Sequence, residues 1–424
     1  MWERIKQAWE IKEIRKKIFV VVGLLVVFRV AAHIPVPGVN LLNLRNYLEG
    51  NQILGMLNVF SGGTMENFSV IMLGVGPYIT SSIIFQLLQM IVPKLEEMAK
   101  EGEYGQQKIN MYTRWLTVPL AFLQSFAMIK LLTNTGQPIL TDLNTLRLIT
   151  IMLTITAGTM FLMWLGELIS EQKIGNGISL LIFAGIVAAI PNAIRNAMIN
   201  YTSADFYTML LFVVVALATV VGVVFISEGQ RNIPVNYAKQ MRGNHSYGGS
   251  TTHLPLRVNM AGVIPIIFAI SLILFPSMVA QFFVSAKTTW LATAAQETIR
   301  LFQNQLFYGV SYFLLVFGFT FFYAAVIFHP KKIAENLQRQ GGFIPGIRPG
   351  SETEKYLGIT MNRINLIGAS FLGIIAILPL IVSGAMGTQN LSWGGTSLLI
   401  VVAVAIETAK QLEAQVTMHE YDRI

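Results

Sequence analysis

The sequence predicts an all-α integral membrane protein with ten transmembrane helices in two pseudo-symmetric, inverted halves of five. Composition is the first reason: 54% of the 424 residues are hydrophobic and 12% are charged, whereas about a quarter of the residues of a soluble domain are charged. The second is that long apolar stretches recur, since about 20 apolar helical residues cross a bilayer core of roughly 30 Å. A polar segment in the middle of the chain is the third, because it separates equal numbers of these stretches.

Ten apolar stretches of about membrane length can be marked along the chain. They run over residues 18–33, 69–92, 113–132, 148–169, 178–198, 207–226, 259–283, 306–328, 365–382 and 394–407. The first stretch follows a basic tail, as the apolar part of a signal peptide does. A membrane span is the better interpretation, because nine further stretches follow and the sequence shows no clear cleavage site.

The distribution of positive charge predicts that both termini are cytoplasmic. An even number of spans places the two tails, residues 1–17 and 410–424, on the same side of the membrane. All but seven of the 30 Lys and Arg residues lie in these tails or in the loops on their side, and positively charged loops face the cytoplasm. The seven others are Arg29, Arg45, Lys130, Arg147, Arg195, Lys287 and Arg300.

The chain divides at residues 200–206, an external linker between an N-terminal half (residues 18–199) and a C-terminal half (residues 207–409). Because each half has an odd number of spans, any repeat between the halves has to be inverted. The second span of each half contains a Gly/Pro break, at residues 74–82 and 260–268. Such a pair of breaks is either two ordinary proline kinks or the mark of a functional interface.

The sequence lacks the residues of familiar catalytic and cofactor sites. It has no cysteine, no GxxxxGK[ST] phosphate-binding loop and no HExxH zinc motif, and its five histidines show no metal-ligand spacing. We therefore expect no enzymatic activity, cofactor or metal. Ionisable residues are few within the spans, and Arg29, Glu167 and Glu407 do not form the midplane acidic relay of a proton-coupled pump. Energy is expected to come from a partner.

Two cytoplasmic loops, residues 227–258 and 329–363, are longer than a connection between helices requires. In the second loop Gly346 and Gly350 flank Arg348, and the proline that follows the arginine favours an extended backbone. The guanidinium group is therefore expected at a constrained loop tip. The two loops either serve only topology or dock to an acidic protein surface or to RNA phosphates.

Several motifs, in order along nearly the whole chain, resemble those of the bacterial SecY family. They are "IPVPGV" after the first span, "FSGG" and "GVGPYITSSIIFQLL" around the second, "GNGISLLIFAGIVA" in the fifth, "VNYAKQ" and "THLPLRVNMAGVIPIIFA" before and into the seventh, "GGFIPGIRPG" in the loop 329–363 and "GGTSLLIVV" in the tenth. SecY-like proteins are the central subunits of the Sec channel in the bacterial inner membrane. The resemblance implies a clamshell around an hourglass pore, with SecE, SecG, SecA, the ribosome and signal-bearing preproteins as partners.

The resemblance also implies which residues form the pore, its gate and its plug. The expected pore ring comprises Val75, Ile79, Ile178, Ile182, Ile267 and Ile400. The lateral gate between spans two and seven is expected to carry the polar residues Thr80, Gln124 and Asn259. The short plug helix, at about residues 56–67, would include Leu57, Asn58, Val59, Phe60, Ser61, Gly62, Gly63, Thr64, Met65 and Glu66. Apart from the family, each ring residue is an ordinary buried aliphatic side chain.

In SecY-like channels the two long cytoplasmic loops bind SecA and the ribosome, either of which supplies the energy. The residues that this implies for docking are Arg348, Arg339, Arg242, Lys331 and Lys332. The family usually has two basic residues where this chain has Asn244 and His245. We therefore place more weight on Arg348, Arg339 and Arg242 than on this loop tip.

Two other functions stay open at this point. A secondary transporter for a small solute would explain the inverted repeats and the broken helices, but not the missing midplane ligands or the large basic loops. A membrane scaffold without conduction would not explain an apolar ring shared by helices of both halves.

Overall fold

The computed structural model describes residues 7–49, 58, 61–133, 139, 144–199, 206–237, 240–242, 245–247, 251–284, 288–386 and 395–421, and most of these residues are helical. The helices are α1 (Lys12–Ala32), α2 (Leu41–Glu49), α3 (Gly76–Ile91), α4 (Pro93–Lys100), α5 (Glu103–Thr133), α6 (Thr145–Glu171), α7 (Gly177–Ile199), α8 (Phe206–Glu228), α9 (Ile264–Phe283), α10 (Thr289–Gln303), α11 (Gln305–Ile327), α12 (Pro330–Arg339), α13 (Ser351–Met386) and α14 (Gly395–Tyr421). A helix covers all or part of every stretch that was predicted to span the membrane.

Length and apolar composition allow five of the described helical stretches to cross a membrane, or six if the bent pair α3 and α4 is one span. The five are Glu103–Thr133, Thr145–Glu171, Ile264–Phe283, Gln305–Arg339 and Ser351–Val382. The apolar described parts of α7 and α8 are shorter, α1 begins with several charged residues and α14 ends with them. The total of ten spans stays a prediction.

The two Gly/Pro breaks lie at the starts of helices and not inside them, which corrects the prediction. Helices α3 and α9 each have a proline in the first turn, where a residue without an N–H group costs no hydrogen bond. Each is preceded by a glycine in the left-handed region, Gly74 with φ of 57° and Gly262 with φ of 62°. Residues 69–75, which were predicted to belong to the second span, form turns and a single bridge instead.

The far end of α3 is also set by a proline. Val92 has an extended backbone, as expected for a residue before proline, and the chain bends by 101° between α3 and α4.

Asparagines cap the starts of two other helices. The side chain of Asn144 accepts a hydrogen bond from the N–H of Thr145 at the start of α6, and Asn304 caps α11 in the same manner.

Two apolar cores hold the membrane helices together. The larger one, the membrane core, combines buried side chains of α1, α3, α6 and α7 with those of α9, α11, α13 and α14. The second core joins α2, the turns at residues 61–75, α5 and α6. Helix α9 contacts both α3 and α5, so the two halves meet along these helices.

The two long loops, which are predicted to be cytoplasmic, form one small module that the sequence did not predict, named the cytoplasmic module after that prediction. Strand β1 (Gln230–Tyr237) pairs antiparallel with β4 (Thr251–Arg257) and with β5 (Gly342–Phe343), so both loops contribute to a sheet of order β4-β1-β5. A further hairpin pairs β2 (Gln240–Arg242) with β3 (His245–Tyr247). The module has a core of its own that includes Ile233, Leu256, Leu337 and Ile344.

Helix α14 continues well beyond the predicted tenth span and contacts the N-terminal tail. Val416 forms a small apolar cluster with Ala8 and Ile14. The side chain of Gln415 accepts a hydrogen bond from Lys17 at 3.4 Å and donates one to the carbonyl oxygen of Lys173 at 2.5 Å. The described parts of both tails therefore lie at the same end of the molecule, as the predicted even number of spans requires.

Candidate functional site

The predicted ring residues converge in the membrane core. Val75 and Ile79 come from the start of α3, Ile178 and Ile182 from α7, Ile267 from α9 and Ile400 from α14. The spacing of four residues within α7, and between Val75 and Ile79, places each pair on one helix face. Ile400 is fully buried, Ile178 is partly buried, and the other four are at most 7% exposed.

A cavity of about 330 Å³ lies beside this cluster. Four ring residues contribute to its wall, Val75, Ile79, Ile182 and Ile267, whereas Ile178 and Ile400 do not. Most of the rest of the wall comes from α5, α9, α10 and the turns at residues 61–75, with single residues from α2 and α11. The described lining contains no Asp, Glu, Lys or Arg, so the cavity is uncharged and largely apolar.

Two of the three predicted gate residues line the cavity. Thr80 and Gln124 both line the cavity, and the Thr80 hydroxyl donates a hydrogen bond to the carbonyl oxygen of Gly76 at 3.1 Å. Asn259 lies in the turn before α9 and does not line the cavity. Its amide donates to the carbonyl oxygen of Gly262 at 3.2 Å, and its buried Oδ1 has no hydrogen-bond partner among the described residues.

Several residues that the sequence did not single out lie at the contact between α9 and the N-terminal half. The rings of Phe126 on α5 and Phe282 on α9 stack at a centroid distance of 5.3 Å. Ser271, Ser277 and Gln281 of α9 line the cavity next to Thr80 and Gln124. Helical position alone does not reveal such residues, because a sequence does not show which face of α9 meets the other half.

The predicted plug segment is described only in part, because Leu57, Val59 and Phe60 lie outside the described residues. Ser61 to Glu66 form turns, so the expected helix does not extend into them. Gly62 and Gly63 both have left-handed φ angles, 80° and 76°, which glycine adopts without steric cost. Asn58 holds the turn closed by accepting a hydrogen bond from the N–H of Glu66 at 3.0 Å.

The two ends of this turn segment differ in their burial. Thr64 is fully buried and Met65 is 4% exposed, and Met65 belongs to the second core. Arg45 on α2 forms an ion pair with Glu66 at 3.0 Å, and burial against the same core raises the pKa of the nearby Tyr47 hydroxyl. Residues from 64 onward are therefore anchored, and only the residues before them can leave without opening a core.

Arg348 lies at an exposed loop tip of the cytoplasmic module, as the glycines and the proline around it predicted. Its side chain is exposed, and Gly346 and Gly350 on either side have left-handed φ angles of 80° and 101°. The carbonyl oxygen of Arg348 accepts a hydrogen bond from the Thr353 hydroxyl at 2.9 Å. The loop tip is thus held by its backbone while the guanidinium group stays in solvent.

The other predicted docking residues surround the same module. Lys331 and Lys332 are exposed in the first turn of α12, where positive charge opposes the helix dipole. Arg339, at the other end of α12, lies 3.9 Å from Glu335 and is highly exposed. Arg242 lies in β2, opposite His245, and its side chain is outside the description, as is Asn244.

Comparison with known proteins places this arrangement in a family. A family model described as SecY matches residues 69–409, which include all six ring residues. The chain belongs to the SecY family. A protein translocase subunit SecY of Streptomyces galbus is 42% identical over 433 residues, covering 98% of each chain. The SecY of Halalkalibacterium halodurans is also 42% identical and covers 99% of each chain.

Solved structures have the same SecY fold. A protein-conducting channel matches with a TM-score of 0.62 at 17% identity, covering 93% of this chain and 91% of that one. A SecY structure, described as one whose plug domain stabilises the closed state, matches with a TM-score of 0.59 at 18% identity and the same coverage. Sec61 from a canine ribosome–channel complex matches with a TM-score of 0.60 at 16% identity, again with the same coverage. At these identities the likeness is one of fold alone.

Proposed function

We propose that this SecY chain is the central, pore-forming subunit of a protein-conducting channel in a bacterial inner membrane, with both termini in the cytoplasm. The observation that carries the proposal is the meeting of aliphatic side chains from α3, α7, α9 and α14 in one core beside an uncharged cavity. Helices α3 and α7 belong to one predicted half and α9 and α14 to the other. Membership of a family of translocase subunits supports the same function.

The aliphatic ring would seal the resting pore. Branched apolar side chains offer no hydrogen bonds to water or ions, so a narrow ring of them excludes both. Its members are held by apolar contacts without a polar network, and such contacts have no fixed direction. The ring can therefore open around an unfolded polypeptide of any sequence and close again behind it.

The contact of α9 with α3 and α5 would serve as a lateral gate. Its described contacts include the stack of Phe126 on Phe282, and an aromatic pair is worth about 0.5–1.5 kcal/mol beyond its buried area. Thr80 and Gln124 add polar groups whose interactions between membrane helices average about 0.6 kcal/mol each. A contact of this strength can be broken when an apolar signal sequence packs against α3 and α9 in its place. A transmembrane segment can then pass between these helices into lipid.

The turn at residues 61–63 and the residues before it would serve as the plug. The turn contacts the membrane core through Gly62 and lines the cavity through Ser61. The anchoring of Thr64 and Met65 limits the removable part to the residues that precede them. A SecY structure described by its sealing plug domain has the same fold, which supports this role.

The cytoplasmic module would dock the partners that supply energy. It joins both long loops into one unit and presents Arg348, Arg339, Lys331 and Lys332 to solvent. Exposed positive charge suits either an acidic surface of the SecA ATPase or ribosomal RNA phosphates. A ribosome-bound Sec61 channel has this fold. SecE and SecG would complete the membrane complex, and the chain itself would perform no catalysis.

Reconstitution tests this function directly. Vesicles that contain the chain with SecE and SecG should import a signal-bearing precursor when SecA and ATP are added, and not when ATP is omitted. The matched control is the same precursor without its signal sequence. Uptake of a small solute with no import of the precursor would instead favour the secondary transporter.

A further inference from the structure

Arg29 is a charged residue within the apolar helix α1, and the function proposed so far gives it no role. Its guanidinium Nη1 donates a hydrogen bond to the carbonyl oxygen of Gly62 at 2.8 Å. An arginine within a membrane helix is costly and is expected to have a functional partner. The partner here is the backbone of the turn that precedes α3.

Gly62 is held from a second side by α7. A β-carbon built on Gly62 would lie 2.7 Å from the α-carbon of Gly185, and one built on Gly185 would lie 2.5 Å from the α-carbon of Gly62. The two backbones therefore touch, and any side chain at either position would push them apart. The ring of Phe28, the neighbour of Arg29, also approaches Gly62, at 3.3 Å from the built β-carbon.

The two contacts act on the part of the segment that has to move. Thr64 and Met65 are buried, whereas a β-carbon on Gly63 would meet open space. The contacts of Gly62 with Arg29 and Gly185 thus hold the turn against α1 and α7, close to the ring residue Ile182. The hydrogen bond from Arg29 and the backbone contact with Gly185 are specific enough to fix the position of the turn. They are also weak enough to break when the channel opens.

We infer that Arg29 is a positioning residue of the resting channel, a latch that holds the turn at residues 61–63 against α7 and so keeps the plug closed. The inference rests on the proposed function, because it assigns the latch of that plug. It also explains why both Gly62 and Gly185 lack a side chain. Opening then requires the carbonyl oxygen of Gly62 to leave the guanidinium group.

The test measures the resting conductance of the reconstituted complex in planar bilayers, without SecA or precursor. Arg29→Met removes the donor and should raise the mean conductance about tenfold, since one charge-assisted hydrogen bond corresponds to about that change in an equilibrium. Arg29→Lys, which keeps a charged donor, should give a smaller rise. Gly185→Ala should raise the conductance without changing Arg29, because its new methyl group displaces the turn.

Gly23→Ala in α1 is the matched control for Gly185→Ala, since a β-carbon there meets nothing within 4 Å. Arg300→Met, at an exposed arginine of α10, is the control for Arg29→Met. Both should leave the resting conductance unchanged. Resting conductance of Arg29→Met and Gly185→Ala equal to that of the unmodified channel would overturn the latch.

A rescue experiment separates a latch from a general structural role. A disulfide between Ser61→Cys and Gly74→Cys would hold the turn closed independently of Arg29, and it should return the Arg29→Met channel to low conductance. A leak that persists with the disulfide formed would mean that Arg29 only supports the helix, which also overturns the latch.

Deletion of residues 57–61 separates the latch from the plug. If the deletion raises conductance while Arg29→Met does not, the plug stands and the latch is wrong. If neither change raises conductance, the plug proposal fails as well.

Discussion

Single side chains determine how the cytoplasmic module would meet its partners. Arg348 is exposed between two left-handed glycines, and its carbonyl oxygen accepts a hydrogen bond from the Thr353 hydroxyl, so its proposed docking would start from an ordered backbone. An arginine presents a rigid fork of donors that matches a carboxylate or a phosphate. The nearby Lys355 is also exposed, but it lies in the first turn of α13.

Arg348→Glu should lower SecA-stimulated precursor import about tenfold or more, because reversing one charge of an interface contact costs roughly 2 kcal/mol or more. The measurement is the initial import rate into vesicles at saturating ATP. Lys355→Glu changes the charge equally and should reduce the rate less than twofold. Equal losses in the two variants would show that net charge matters and not the position of Arg348.

The predicted ring residues were taken from motifs, whereas their surroundings could not be predicted. Val75, Ile182 and Ile267 lie in sequence stretches that resemble the SecY family, and the structure brings them together. Asn259 was expected as the first residue of span seven, whereas it lies before the start of α9 and its amide donates a hydrogen bond to the carbonyl oxygen of Gly262. The reason is that α9 begins only at Ile264, and a sequence pattern does not determine such a boundary.

At the scale of elements, local sequence patterns predicted where most helices lie. They could not predict which strands, distant in sequence, pair with each other. Apolar length located most of the helices. The prolines of α3 and α9 were interpreted as breaks inside spans, whereas they lie in the first turns of these helices, where proline is a common start signal. The sheet β4-β1-β5 joins Asn236 to Phe343, which are too far apart in sequence for a local pattern to show their pairing. Helix α10 was also not predicted. Its sequence mixes polar and apolar residues, and it has no apolar stretch long enough to cross a membrane.

The turn before α3 can be tested as an element. A β-carbon built on Gly74 lies 3.6 Å from the β-carbon of Ser61, within the range of native disulfides, and the chain has no other cysteine. The double variant Ser61→Cys/Gly74→Cys should form a disulfide that blocks import while the resting conductance stays low. Addition of a reductant should restore import.

Gly74→Cys alone is the control for that experiment. Its left-handed backbone makes a side chain unfavourable by about 1–2 kcal/mol, so a modest loss of stability is expected in both variants. Import that continues with the disulfide fully formed would show that the turn does not need to move.

At the scale of the whole molecule, the two halves meet at α3, α5 and α9 and share one membrane core. The division into halves was predicted from hydropathy and from the polar segment at residues 200–206, and it stays a prediction. How far the halves separate depends on many weak contacts, such as the stack of Phe126 on Phe282. No local pattern in the sequence reports contacts of that kind.

The central claim is that a polypeptide passes through the ring of aliphatic side chains. The most direct measurement is crosslinking of a precursor, stalled during import and carrying one cysteine, to single cysteines in this cysteine-free chain. Ile267→Cys in the ring should crosslink strongly, and only with SecA and ATP present. Phe225→Cys on α8, a side chain that is 76% exposed on the outer surface, should not. Equal crosslinking at the two positions, or import without any crosslink at Ile267→Cys, would contradict the account.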